Sequence, residues 1–282
     1  MQCPNDGGDK PLRIGIVDYL NSRPLAWSFL AGRRIEGVEA SFLSPARVSE
    51  RLAAGKLDVG LIPTIELQRI EKLSVIPDLC VAATREVRSV LLLCRVEPRA
   101  IRRLALDENS RTSVALVTIL LRDLYEIDPE TVTVAPNIST MLDNADAALL
   151  IGDPALSVDR TQYRVLDLAA EWRRMTGRPF VFAVWAVRHG VDLGSNIDIF
   201  RLSLERGLDN IDQLARDAAQ EQSLVEADVR EYLSENLSYR LRREELEGLH
   251  EFFKRAYDHG LIPSPGPLRF ARSCDAAGDS IE

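Results

Sequence analysis

Short apolar runs alternate with amphipathic stretches along the first part of the chain. LRIGIV (12–17), VEASFL (38–43) and DVGLI (58–62) are separated by polar-faced segments, among them ARVSERLAAG (46–55). Runs this short read as strands and the spacing between them as helix, which predicts βαβ units on a parallel sheet. A helix is expected from about Ser22, with Asn21 or Ser22 as its cap and Pro24 near its start, where a missing N–H costs little.

VRSVLLLCRV (87–96), interrupted near its start by Arg88 and Ser89, predicts a strand buried on both faces that leaves this first lobe. Pro98 marks a change of unit. A second series follows: RRLALD (102–107), a helix from near Ser110 to Tyr125, TVTVAP (131–136), a helix around 138–144, and ADAALLIGD (145–153). PFVFAVWAVR (179–188) then returns to the first lobe. Helices are expected over 197–217, 226–236 and 242–259, the last stopped at Gly260 with Pro263 beyond it. The predicted fold class is therefore α/β, two-lobed, with a cleft between the lobes and two hinge crossings. The boundaries fall at 12–94 with 188–270 for lobe 1 and 95–187 for lobe 2, leaving tails at 1–11 and 271–282, the stretch after Arg272 being frayed. No internal repeat is visible.

With 282 residues, 46% hydrophobic and 28% charged, the chain can bury a core in each lobe. Its 43 acidic against 35 basic residues give a net charge of −8, the wrong sign for a general nucleic-acid or acidic-membrane binder. An anionic ligand would have to be held by local donors. The four cysteines, Cys3, Cys80, Cys94 and Cys274, form no CxxC pair, so reduced thiols and no metal are expected. The polar amino terminus shows no signal-peptide segment and no run has membrane-spanning length, so a cytoplasmic location is expected.

Ligands of such sheets sit at the carboxyl ends of the strands. The loops there carry Tyr19, Asn21 and Ser22, then Ser44, then Pro63 and Thr64. In the second lobe, Asp107–Ser113 (DENSRTS) places Ser110, Arg111, Thr112 and Ser113 at a strand-to-helix turn, where free backbone N–H groups and the helix dipole favour carboxylate or phosphate. One hydroxyl would serve as a plain helix cap; three exceed that need. Arg88 and Ser89 must face water or find partners, either a cleft ligand or, for Arg88, a local carboxylate. Gly152 permits close backbone approach beside Asp153, which is equally suited to capping a turn. His189, His250 and His259 fall outside these loops, and no GxSxG, HExxH, P-loop or Rossmann glycine pattern occurs. Trp172, Trp185, Phe180 and Phe182 read as core.

The stretches VDYLNSRPL (17–25), LDVGLIP (57–63), VRSVLL (87–92), LDENSRTS (106–113), LLIGDPAL (149–156) and PFVFAVW (179–185) together resemble the chorismate dehydratase family of the futalosine route to menaquinone. The resemblance runs from about residue 12 to 270. It implies a type II periplasmic-binding-protein-like fold, no cofactor, chorismate (a dicarboxylate) as the small-molecule partner, and conversion to 3-[(1-carboxyvinyl)oxy]benzoate with loss of water. It places Asn21 and Ser89 at active-site positions and gives Ser110, Thr112 and Ser113 a substrate carboxylate to hold. The base is left among Asp153, a water and the enolpyruvyl carboxylate of the substrate, the last being preferred. Two rivals remain in view. One is 1,4-dihydroxy-6-naphthoate synthase, whose CPND-type motif would follow the first strand, whereas Cys3-Pro4-Asn5-Asp6 precedes it here. The other is a non-catalytic protein that closes on a small carboxylate.

Overall fold

The computed structural model describes residues 10–271 except 31 and 34. Cys3, Cys274, the CPND segment and the tail expected to fray lie outside the described residues. Two five-stranded sheets carry the fold. The first contains β1 (Leu12–Val17), β2 (Val38–Leu43), β3 (Val59–Pro63), β4 (Ser74–Ala83) and β10 (Phe180–Val187), in the order β2-β1-β3-β10-β4. The second contains β5 (Val90–Cys94), β6 (Arg103–Asp107), β7 (Glu130–Val134), β8 (Ala147–Ile151) and β9 (Arg164–Asp167), in the order β7-β6-β8-β5-β9. In each sheet the strand next to last is antiparallel to both neighbours: β10 lies between β3 and β4, and β5 between β8 and β9.

These two antiparallel strands correct the predicted boundaries. Residues 90–94, assigned by sequence to lobe 1, belong to the second sheet, and residues 180–187, assigned to lobe 2, belong to the first. The crossings therefore fall over 84–89 and 177–179. Burial on both faces makes VLLLC and FVFAVWAV apolar throughout, and that pattern does not say which sheet a strand joins.

The helices are α1 (Pro45–Ala53), α2 (Thr112–Tyr125), α3 (Ile138–Leu142), α4 (Asp153–Ser157), α5 (Leu168–Thr176), α6 (Ile197–Asp209), α7 (Ile211–Gln222), α8 (Glu226–Glu231) and α9 (Arg243–Asp258). No α-helix begins at Ser22. That segment forms two 3₁₀ turns, Leu20–Ser22 and Trp27–Phe29. Pro24 has no N–H to give, and Ser22 Oγ does not cap but donates to the carbonyls of Val17 and Tyr19. The helix expected over 197–217 breaks at Asn210, whose backbone is not helical, into α6 and α7. The one expected over 226–236 ends as a π-helical turn, Tyr232–Asn236.

The main core runs through both lobes without a break. Trp172 of α5, Phe180 of β10 and Phe252 of α9 meet edge to face at 5.3 and 5.0 Å, filling the region beside the second crossing. A smaller core, with Leu91, Leu93, Ala105, Leu142, Ala148 and Leu150, covers the outer face of the second sheet. Cys80 and Cys94 are buried and free.

Candidate functional site

Strands β1, β3, β6 and β8 end at Val17, Pro63, Asp107 and Ile151, so their following loops face one another across the lobes. A cavity lies between them, with about 570 Å³ of empty space when its opening to solvent is included. Its walls are largely apolar, with Val17 and Leu61 from the first sheet, Val90 and Ile151 from the second, and Phe182 on β10. Phe182, read from sequence as core, is buried in the main core and also forms part of this wall.

One polar end is the turn before α2. Arg111 occupies the cap position, yet no side chain caps the helix. The capping role open to Ser110, Thr112 and Ser113 is therefore unused. Ser110 Oγ is buried without a partner among the described residues. Thr112 Oγ1 accepts from Ile65 N at 3.2 Å and lies 3.3 Å from Thr64 Oγ1, which donates to Val181 O at 2.8 Å. The pair stitches the second lobe to the first. Arg111 reaches Glu50 at 3.5 Å, but both side chains are more than a third exposed, so this pair holds the guanidinium only weakly. Backbone N–H groups of the first helical turn, the Ser110 hydroxyl and Arg111 give this end donors of the kind that hold an anionic group.

The other polar end joins Tyr19, Asn21, Ser89 and Gly152. Ser89 is fully buried. The backbone before it is fixed by Asp167, which accepts from Val87 N at 3.0 Å and Arg88 N at 2.7 Å and also caps α5. These bonds hold Arg88 at φ +63°, a turn few non-glycine residues adopt. Tyr232 Oη donates to Ser89 Oγ at 2.8 Å. Gly152 N donates to Ser89 O at 2.8 Å. Gly152 itself, at φ +68°, lies against the Tyr19 ring. Burial raises the Tyr19 and Tyr232 hydroxyls above the ordinary phenol range, with nearby Asp107 adding to the effect at Tyr19.

Of the residues singled out from sequence, Asn21, Pro63, Ser89, Ser110, Arg111, Thr112, Ser113 and Gly152 line this cavity. Ser22, Ser44, Thr64, Arg88 and Asp153 are not in its lining. Ser22 and Thr64 spend their hydroxyls on backbone carbonyls. Ser44 precedes α1, and the Arg88 side chain turns to Glu231 at 3.9 Å. Asp153 accepts from Leu20 N at 2.9 Å and Gln222 Nε2 at 2.7 Å, so each oxygen ties the second lobe to the first. Its carboxyl is raised in pKa, chiefly by burial. Asn109 and the apolar walls were not anticipated, nor were Asp167 and Tyr232 behind Ser89.

Two α/β lobes with a cavity between them, joined by two crossings, define the periplasmic-binding-protein type of fold. The periplasmic aliphatic sulphonate binding protein of Escherichia coli shares it, with a TM-score of 0.64 at 18% identity over 98% of this chain and 96% of that one. Within this class, the family model described as menaquinone biosynthesis matches residues 12–258, and the chain belongs to that family. The chorismate dehydratase of Thermus thermophilus is 29% identical, the match covering 86% of this chain and 94% of that protein. The chorismate dehydratase of Campylobacter jejuni is 26% identical over 86% of this chain and 96% of its own. Among the described residues, no helix is long and apolar enough to cross a membrane.

Proposed function

We propose that this protein is a chorismate dehydratase, a hydro-lyase that converts chorismate to 3-[(1-carboxyvinyl)oxy]benzoate and water. The observation that carries the reading is the make-up of the cavity. It offers apolar walls for a ring and donors for carboxylates, while its described lining holds no carboxylate and no imidazole. Its two titratable side chains are Tyr19, kept protonated by burial, and Arg111. Such a site suits a reaction that needs orientation more than strong acid or base groups.

Dehydration of chorismate breaks the C–O bond of the ring carbinol and the C–H bond at the neighbouring ether carbon, and the ring becomes aromatic. Aromatisation supplies the driving force. One carboxylate would lie at the Ser110–Ser113 turn with Arg111. Asn21 and Ser89 would polarise the departing hydroxyl or fix the ring, as donors already in place before the reaction. The enolpyruvyl carboxylate of the substrate then acts as the base on its own ring, because Asp153 has both oxygens engaged between the lobes. Closure of the lobes excludes water. A biosynthetic enzyme of this kind would work in the cytoplasm without a cofactor.

Incubation of the purified protein with chorismate, followed by mass spectrometry, tests the assignment: a product lighter by one water is expected. Binding without loss of water would instead make the protein a carboxylate receptor. Asn21→Ala and Ser89→Ala should each lower kcat/KM by roughly 10²-fold, the scale of losing one positioned donor. Their thermal unfolding should stay close to the parent's. Turnover at the parental rate in either variant would remove that residue from the mechanism.

A further inference from the structure

Ser89 stands at the cavity, but the group that sets its hydroxyl does not. Tyr232 lies outside the cavity lining, 1% exposed, on the π-helical turn that ends α8. π-Turns inside helices often mark functional positions. This one is fastened to the first crossing: Asn236 Nδ2 donates to Glu86 O at 3.4 Å, and Ser238 pairs with Ala82 of β4 in both directions at 2.8 Å. The turn thereby carries the Tyr232 phenol to Ser89, 143 residues earlier in the chain.

The direction of the Tyr232–Ser89 bond matters chemically. A serine hydroxyl has one proton and two acceptor sites. Tyr232 Oη occupies an acceptor site of Ser89 Oγ at 2.8 Å. Ser89 Oγ has no other partner among the described residues, so among them its own proton has no acceptor. The Asn21 carboxamide is a further polar neighbour of the Tyr232 hydroxyl. One phenol thus adjoins both of the residues assigned to the reacting end of the cavity.

We propose that Tyr232 is a positioning residue for the dehydration: by donating to Ser89 it commits the Ser89 proton to the substrate and holds that hydroxyl as a donor. Without it, the Ser89 hydroxyl is free to rotate and the substrate must orient it. The inference rests on the proposed dehydratase activity.

The test is a double-mutant cycle of Tyr232→Phe with Ser89→Ala, assayed with chorismate. Phenylalanine keeps the buried ring and removes only the hydroxyl. Tyr232→Phe alone should lower kcat by roughly 10-fold, less than deletion of a direct donor, with KM within about twofold of the parent. Added to Ser89→Ala, it should cost less than about twofold more, because the group it acts through is already gone. Parental kcat in Tyr232→Phe overturns the proposal. So does a full 10-fold loss on the Ser89→Ala background, since a fold made generally looser would slow both backgrounds alike. If the parent itself leaves chorismate unchanged, the dehydratase reading fails and takes this role with it; if only the variant comparison fails, the dehydratase reading stands.

Discussion

Gly152 has no side chain, yet it sets how closely the lobes approach at the reacting end. With φ +68° and ψ −147° it occupies a region nearly closed to other residues, and an added Cβ would stand 2.8 Å from three carbons of the Tyr19 ring. Gly152→Ala is expected to destabilise the protein by about 1–3 kcal/mol. It should also lower kcat/KM, because Tyr19 is a wall of the cavity. Thermal unfolding and steady-state kinetics measure the two effects, and an unchanged value in both would show that the ring moves aside freely. At this scale the sequence was informative where a polar residue interrupts an apolar run, as Ser89 does, or where hydroxyls exceed the needs of a cap, as at 110–113. It was silent on Tyr232 and Asp167, whose roles depend on partners brought together only by folding.

Among the elements, β1, β3 and β10 are tied together at the end of the sheet away from the cavity. Asp58, just before β3, accepts from Arg13 N and Nε at 3.0 Å, Arg13 Nη2 at 2.8 Å and Arg188 Nη2 at 3.2 Å. The Arg13 side chain, as hydrogen-bond donor, holds the Asp58 carboxyl down at about 2 despite partial burial. A carboxyl depressed in the folded state contributes stability above its unfolded value, near 4, and that contribution is lost as pH falls towards 2. Allowing for the exposed side of Arg13, it is on the order of 1–2 kcal/mol. Asp58→Asn should therefore be less stable at pH 7 and lose less than the parent between pH 5 and pH 2. Urea unfolding at several pH values would show this, and parallel acid limbs would refute it. Strands with an even apolar pattern, such as β1, β3 and β8, were legible from sequence. β4 was not, because Pro77 and Asp78, the latter at φ +65°, break its alternation and the pairing with β10 shifts register.

For the molecule as a whole, Asp153 is a fastener across the cleft. Asparagine at 153 keeps one acceptor where two donors, Leu20 N and Gln222 Nε2, require acceptors. Asp153→Asn should thus leave kcat within about threefold of the parent and raise KM roughly 10-fold, the effect of one weakened hydrogen bond on closure. Collapse of kcat to background would instead identify Asp153 as the base. The position of β10 has a different consequence, which concerns how the protein is made. β10 lies between β3 and β4, but it begins at Phe180, nearly a hundred residues after β4 ends at Ala83. Chains grow at about 5–20 residues per second, so the facing edges of β3 and β4 wait roughly 5–20 s on the ribosome for the strand that joins them. All five strands of the second sheet emerge within that interval. The first lobe to be synthesised is thus the last to be completed, and its open strand edges are the part of the nascent chain most in need of protection from aggregation.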